Sequence, residues 1–324
     1  MDKTIMDIPA SMLAARVAQY GPVDAISLDR IPVPEPGPGE VLIKVSAAGV
    51  GPWDAWIRAG KSALPQPLPL TLGADLSGEV VRVGEGSSSP AAGDLVFGVT
   101  NPRFVGAQAE YAVCQSRSVQ RKPAGLGHIE AAAIPVVAVT AWSMVFDYGA
   151  IQLGQRVLVH GAAGNVGAYA VQMAKAAGAQ VVATCFSADV ARVEALGADD
   201  VIDVSVEPFA GRVKYADVVL DTVGGVTQTA SFDILVPGGR LVSSVSPPDQ
   251  ALAAEHRVKA DFFLVDVTAE RLAHVAGLVE TRKLHVAIGE ILPLRSVRRA
   301  HEMLAGAPHR PGKIVLEVGT ETTD

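Results

Sequence analysis

The stretch Arg156-Val157-Leu158-Val159-His160-Gly161-Ala162-Ala163-Gly164-Asn165-Val166-Gly167 decides how this chain folds. Residues 156–160 form a short apolar run with the length and β-branched character of a buried strand, and residues 166–177 read as a helix stopped by Gly178. Between them sit the glycines at 161, 164 and 167. Strand, glycine turn and helix in that order make a phosphate-gripping turn. Gly164 lets the backbone approach a pyrophosphate, and Gly167 lets the helix pack close to the sheet. The free N–H groups at the positive end of the helix then face the anion.

Working outward, strands and helices alternate. Strands are expected at 180–184, 201–204, 217–221, 240–244 (after the Pro237-Gly238-Gly239 turn) and 262–265, and a second helix at 189–196. Continuous apolar strands separated by helices predict an α/β Rossmann domain, a doubly wound parallel sheet covered on both faces. The stretch 128–145 is Ala-rich and reads as helical with an interruption at Pro135. Upstream, short strands at 41–45, 79–84, 94–99 and 110–113 follow the Pro/Gly run 32–39, the pattern of a small barrel or sandwich. The tail, 267–324, reads as helices at 270–281 and 296–304 and a last strand at 313–318, and is expected to return to the first domain. The expected division is therefore 1–125 with 267–324, and 126–266.

The end of the second strand reads the 2′ position of a bound dinucleotide. NAD-binding versions place an acid there, about 20 residues after the turn, to hold the ribose diol. This chain has Thr184-Cys185-Phe186-Ser187 with no acid, which leaves room for a 2′-phosphate and points to NADPH. Arg192 either supplies charge to that phosphate or is a solvated surface residue. His160, beside the glycine turn, reads as structural.

The bulk composition narrows the rest. The 324 residues carry a net charge of −7 with no basic stripe, which argues against nucleic acid or an anionic membrane as partner. No apolar run approaches the roughly 18 residues of a membrane helix, and the N-terminus lacks a signal-peptide core. The two cysteines, Cys114 and Cys185, have no metal-type spacing and read as reduced thiols of a cytoplasmic protein.

Several stretches together resemble the medium-chain dehydrogenase/reductase superfamily, in its zinc-independent quinone oxidoreductase branch. They are Pro36-Gly37-Pro38-Gly39-Glu40-Val41-Leu42-Ile43-Lys44-Val45, Ala48-Gly49-Val50-Gly51-Pro52-Trp53-Asp54, Leu72-Gly73-Ala74-Asp75-Leu76-Ser77-Gly78-Glu79-Val80, Val139-Thr140-Ala141-Trp142, the glycine turn, Asp221-Thr222-Val223-Gly224-Gly225 and Gly312-Lys313-Ile314-Val315-Leu316. The resemblance implies a GroES-like β-rich substrate domain beside the Rossmann domain, and a homodimer. Where zinc-dependent members carry a ligating Cys, His and Cys, this chain has Gly51, Ala74 and Val136, so at most Asp75 survives of a set that needs three protein ligands. Without zinc, the resemblance implies hydride transfer from NADPH to a small electrophilic acceptor, a quinone or an α,β-unsaturated carbonyl. A zinc-type alcohol dehydrogenase and a non-catalytic NADPH-binding sensor or structural protein are the alternatives.

The residues expected around the cofactor are Thr140, Gly161, Ala162, Ala163, Gly164, Asn165, Val166, Gly167, Thr184, Ser187, Val223, Val245 and Ser246. Those expected around the acceptor are Gly51, Pro52, Trp53 and Asp54. Trp53 is either a stacking platform for a flat acceptor or a half-buried core residue. Asp54 reads as a helix cap in preference to a group acting on substrate. Gly51 stands where many similar quinone reductases have Asn.

Overall fold

The computed structural model describes residues 8–87 and 89–319. It divides into two compact units. The first holds the chain up to Val136, then Val267–Ala276 and the chain from Val286 onward; the second holds Val137–Asp266 and Gly277–His285.

The first unit opens with strands β1 (Ser11–Val17), β2 (Ile26–Pro32) and β3 (Glu40–Val50), followed by helix α1 (Pro52–Arg58). Strands β4 (Leu70–Thr71), β5 (Asp75–Val83), β6 (Leu95–Val99), β7 (Tyr111–Gln115) and β8 (Val119–Arg121) come next, then helix α2 (His128–Ala132); helix α3 (Pro135–Trp142) starts here and runs into the second unit from Val137 onward. Each of the four strands expected here is present; β3, β5 and β7 run longer than expected, and β6 starts one residue late, at Leu95. The β1–β2 hairpin is additional. Its second strand lies at the sheet edge with only Ile26 fully buried, so it carries little of the apolar signal that reveals a strand.

The second unit alternates as expected. Its elements are β9 (Arg156–His160), α4 (Asn165–Ala176), β10 (Gln180–Cys185), α5 (Val190–Ala195), β11 (Asp200–Asp203), α6 (Phe209–Arg212), β12 (Ala216–Asp221), α7 (Gly225–Ala230), β13 (Leu235–Ser243), α8 (Gln250–His256) and β14 (Lys259–Phe262). The sheet order is β11-β10-β9-β12-β13-β14 and every pair is parallel. The order reverses at β9, which puts the chain's switch point at the glycine turn. On one face Leu158, Val182, Ile202, Val219 and Leu241 pack with Phe209 and Phe232 into one core, and α4 lies on β9 and β10.

Two details differ from the sequence reading. The Pro237-Gly238-Gly239 segment is not a turn ahead of the strand. It is an irregularity inside β13, where the pairing slips between Ala216↔Leu235 and Val218↔Arg240. The last strand of the sheet is Lys259–Phe262 and not 262–265, because the apolar run marks packing and not ladder pairing: Phe263 stacks on Tyr148 with ring centroids 4.5 Å apart.

The chain ends with α9 (Ala269–Glu280), β15 (Ile288–Pro293), α10 (Val297–Leu304) and β16 (Lys313–Glu317). Strand β16 pairs antiparallel with β3, and the large sheet of the first unit runs β15-β16-β3-β5-β6-β8 with β7 also on β3. Residues 126–136 stay with this unit because Ile129, Ala132 and Ala133 pack on Ala47 and Val315. Residues 277–285 belong to the second unit, where the Gln172 side chain accepts from His285 N (2.7 Å). Among the described residues no helix is long and apolar enough to cross a membrane.

Phe232 is 1% exposed and fills the middle of the second unit's core. Phe232→Ala should therefore cost about 3–5 kcal/mol, read as a lowered denaturant midpoint. A change under about 1 kcal/mol would mean that the core can close over the gap.

Candidate functional site

At the carboxyl end of β9 the backbone turns through Gly161, whose φ of +68° few residues other than glycine adopt. A methyl on Gly167 would lie 2.8 Å from the Gly161 carbonyl carbon and 2.9 Å from Ala162 Cα, so bare backbone is what lets α4 stand against the turn. Gly164 is the N-cap of α4 and supplies no side-chain cap. The first N–H groups, from Asn165, Val166 and Gly167, are thus left without a side-chain cap, with the positive end of a 12-residue helix behind them. Gly164 N bonds Gly161 O (2.9 Å) and Ala162 N bonds Thr184 O (3.0 Å), which fixes the turn, Ala163 included, to itself and to β10.

The loops after β12 and β13 meet this turn. Buried Asp221 accepts from Val223 N (2.9 Å) and Gly224 N (2.8 Å) with one oxygen, and from Gln228 Nε2 (2.9 Å) and Ser243 Oγ (2.9 Å) with the other. Gln228 also donates to Ser246 O (3.0 Å). A methyl on Gly161 would meet Val223 Cγ2 at 3.0 Å, and one on Gly224 would meet Val245 Cγ1 and Ser246 Oγ at 3.3 Å. The structure therefore brings Val223, Val245 and Ser246 together beside the glycine turn, with both valines half exposed. Thr140 is buried on α3.

At the end of β10 the sequence reading needs correction. Thr184 does not face the 2′ region. Its hydroxyl points inward, 3.0 Å from His160 Nδ1 and 3.4 Å from Gly161 N, and the residue is 3% exposed. The imidazole is bracketed on its other side by Ser231 Oγ (3.0 Å). Burial lowers its pKa to about 4, against a smaller upward pull from Asp221. His160 is thus a neutral structural group. Nor is the region free of acid. Ser187 is exposed and donates to Asp203 Oδ2, a carboxylate that β11 brings into register beside Cys185. Arg192 is tied down: its Nη2 donates to Ala163 O and to Asp189 Oδ1, both at 2.8 Å. Sequence spacing within β10 could not reveal Asp203, because it arrives from the neighbouring strand.

In the first unit, Gly51 caps α1 and Pro52 occupies its first position. Asp54 Oδ2 accepts from Gly51 N (2.8 Å), the capping role read from the sequence. Its carboxyl is fully buried and its pKa is raised to about 7, chiefly by burial and to a lesser degree by Asp75. The Gly51 amide, Lys313 and the Gly73 amide pull the other way. Trp53 is half-buried. Lys313 Nζ lies 4.3 Å from its ring centroid and Phe104 meets it edge-on at 6.2 Å. A methyl on residue 51 would lie 2.6 Å from Trp53 Cε2, so the indole occupies the space that any side chain at 51 would need.

Lys313 and Asp75, 2% and 0% exposed, form a buried ion pair at 2.8 Å, and the other Asp75 oxygen accepts from Val136 N (2.9 Å). The sequence did not reveal this pair as such, since 238 positions separate its members. Among the described residues no group of three or more His, Cys, Asp or Glu side chains is placed to hold a metal ion.

Removing one partner of a buried pair leaves the other charge without compensation. Lys313→Ala should therefore cost about 3–5 kcal/mol in denaturant unfolding, and Lys313→Met combined with Asp75→Asn should recover most of it. If the double variant is no more stable than the single one, the pair is not what holds this region. The depressed His160 pKa gives a pH dependence. Its neutral form stabilises the fold fully above its unfolded pKa of about 6.5, and that contribution is lost as pH falls toward about 4. His160→Asn should flatten the decline in unfolding free energy between pH 6.5 and 4; an unchanged slope would count against it.

Two family models match the chain, one described as an alcohol dehydrogenase GroES-like domain over residues 37–145 and one as a zinc-binding dehydrogenase over residues 196–316. The chain is 33% identical over 322 residues to the quinone oxidoreductase of Lama guanicoe, a match covering 94% of this chain and 97% of that protein. It is 37% identical over 233 residues to the mitochondrial NAD(P)H oxidoreductase RTN4IP1 of Danio rerio, covering 65% of this chain and 60% of the relative. Among solved structures, a mycobacterial protein complexed with NADPH superposes with a TM-score of 0.84 at 28% identity, covering 95% of this chain and all of that one. With a GroES-like unit, a six-stranded parallel sheet turning on a glycine-rich loop, and a relative matched almost end to end, the chain belongs to the medium-chain dehydrogenase/reductase superfamily, in its quinone oxidoreductase branch.

Proposed function

We propose that this protein is an NADPH-dependent oxidoreductase that reduces a quinone or an α,β-unsaturated carbonyl compound without zinc. The observation that carries the reading is the state of Asp75. The zinc chemistry of the superfamily needs three protein ligands around an open position. Here Gly51 and Ala74 offer no ligand atom, and both Asp75 oxygens are already committed, to Lys313 Nζ and Val136 N. These residues do not fit a zinc ion. Alcohol oxidation, which relies on the metal to polarise oxygen, is correspondingly disfavoured, whereas an acceptor that is already electrophilic needs no such help.

The cofactor fits the residues that would hold it. Bare backbone at 161 and 167 brings the uncapped end of α4 close against the turn, a cradle of N–H groups suited to a pyrophosphate. Val223, Val245 and Ser246, held in place through Asp221 and Gln228, border that cradle on the side of β12 and β13. When bound, the nicotinamide supplies the hydride. The chain's part is to fix the dinucleotide by its phosphates and to orient it. The names of the quinone and NAD(P)H oxidoreductase relatives, and the NADPH in the mycobacterial neighbour, support the same reading.

The test is a panel of ortho-quinones, short enals and alcohols assayed by NADPH consumption or formation, with metal analysis of the purified protein. Turnover of quinones or enals without stoichiometric zinc is expected, together with loss of NADPH binding in Gly167→Val. Zinc-dependent alcohol oxidation would overturn the proposal. Tight NADPH binding with no turnover of any acceptor would point to a non-catalytic binding protein.

A further inference from the structure

Resting on the cofactor reading just given, the structure raises the question of how this chain tells one nicotinamide dinucleotide from the other, since the acid usual at the end of the second strand is missing there. Arg192 and the hydrogen-bonded pair Ser187 and Asp203 lie around Cys185 at that corner. Arg192, on α5, spans from Asp189 to the glycine turn by donating from Nη2 to Ala163 O at 2.8 Å. It thus lies between the turn that faces the pyrophosphate and the end of β10, where the ribose is read. A guanidinium has five N–H donors in a planar fork suited to phosphate, and both hydrogen bonds that hold Arg192 to the chain leave from Nη2. Opposite stands Asp203, level with Cys185 at the end of the neighbouring strand. Its Oδ2 accepts from the Ser187 hydroxyl and its Oδ1 from Ser205 N (2.9 Å).

We infer that Arg192 and Asp203 set the choice between NADPH and NADH: the guanidinium attracts the 2′-phosphate, the carboxylate repels it, and the Ser187 hydroxyl restrains the carboxylate by bonding it. Asp203 does the work of the acid missing from β10, displaced by one strand, and with Ser187 engaged it opposes a 2′-phosphate less than a free carboxylate would. Thr184, turned inward to His160, has no part in the selection.

Titration of tryptophan fluorescence with NADPH and with NADH, in the intact protein and in Arg192→Gln, Asp203→Asn and Ser187→Ala, tests this without any acceptor. Adenosine 2′,5′-bisphosphate and adenosine 5′-monophosphate, followed by calorimetry, isolate the ribose corner from the nicotinamide. Loss of one charged hydrogen-bonding partner corresponds to about tenfold or more in affinity. Arg192→Gln should weaken NADPH and the bisphosphate by about that factor and leave NADH and the monophosphate within about threefold. Asp203→Asn should move the NADPH-to-NADH affinity ratio the other way, and Ser187→Ala should lower it. Thermal unfolding checks that each variant is folded, and Arg192→Lys, which keeps the charge, should lie between wild type and Arg192→Gln. If the wild-type protein binds both dinucleotides and the ratio is the same in every variant, this inference is wrong while the cofactor reading stands. If the wild-type protein binds neither, the cofactor reading itself fails, and this one with it.

Discussion

Helix α4 reaches the end of β9 only because the backbones of Gly161 and Gly167 touch with nothing between them. That closeness decides what lies nearby. With the helix drawn in, its first N–H groups come level with the carboxyl ends of the central strands, where the sheet order reverses. The loops after β12 and β13 can then close around one small region, and Asp221 gathers them with four neutral donors. A buried carboxylate of this kind is tolerated because its hydrogen-bonding capacity is filled, and it converts two flexible loops into fixed walls.

The second unit was largely legible in the sequence, because its signals are local. Apolar strands, glycine stops and the glycine turn each lie within about ten residues, the range over which periodicity carries information. What escaped depends on neighbours in space. The position of β14 is set by its pairing with β13, since Lys259 and Asp261 show no strand-like apolarity and the apolar run beyond them packs elsewhere. Thr184 sits where the sequence places it, but strand alternation and the buried His160 turn its hydroxyl inward. Asp203 enters through parallel register, and register between strands is not written in either strand alone. The same holds for Lys313 and Asp75: each was visible inside a family motif, but nothing near either residue names the other as its partner.

The first unit handles charge differently from the second. Its buried cation, Lys313, is shared between an ion pair with Asp75 and the face of Trp53. Asp54 lies close by without a cation of its own, and burial drives it toward its neutral form. The glycine at 51 follows from the same packing. Once the indole lies against the backbone, a larger residue at 51 has nowhere to go, so Gly51 and Trp53 are best regarded as one choice made at two positions.

Quinones and enals are alkylating agents as well as hydride acceptors, and the group in proteins that they attack most readily is an accessible thiolate. Both thiols of this chain, Cys114 and Cys185, are buried and unpaired, and burial is the main cause that holds each in its protonated form. In this chain it is packing that keeps both sulfurs protonated and away from any electrophile in the surrounding solution.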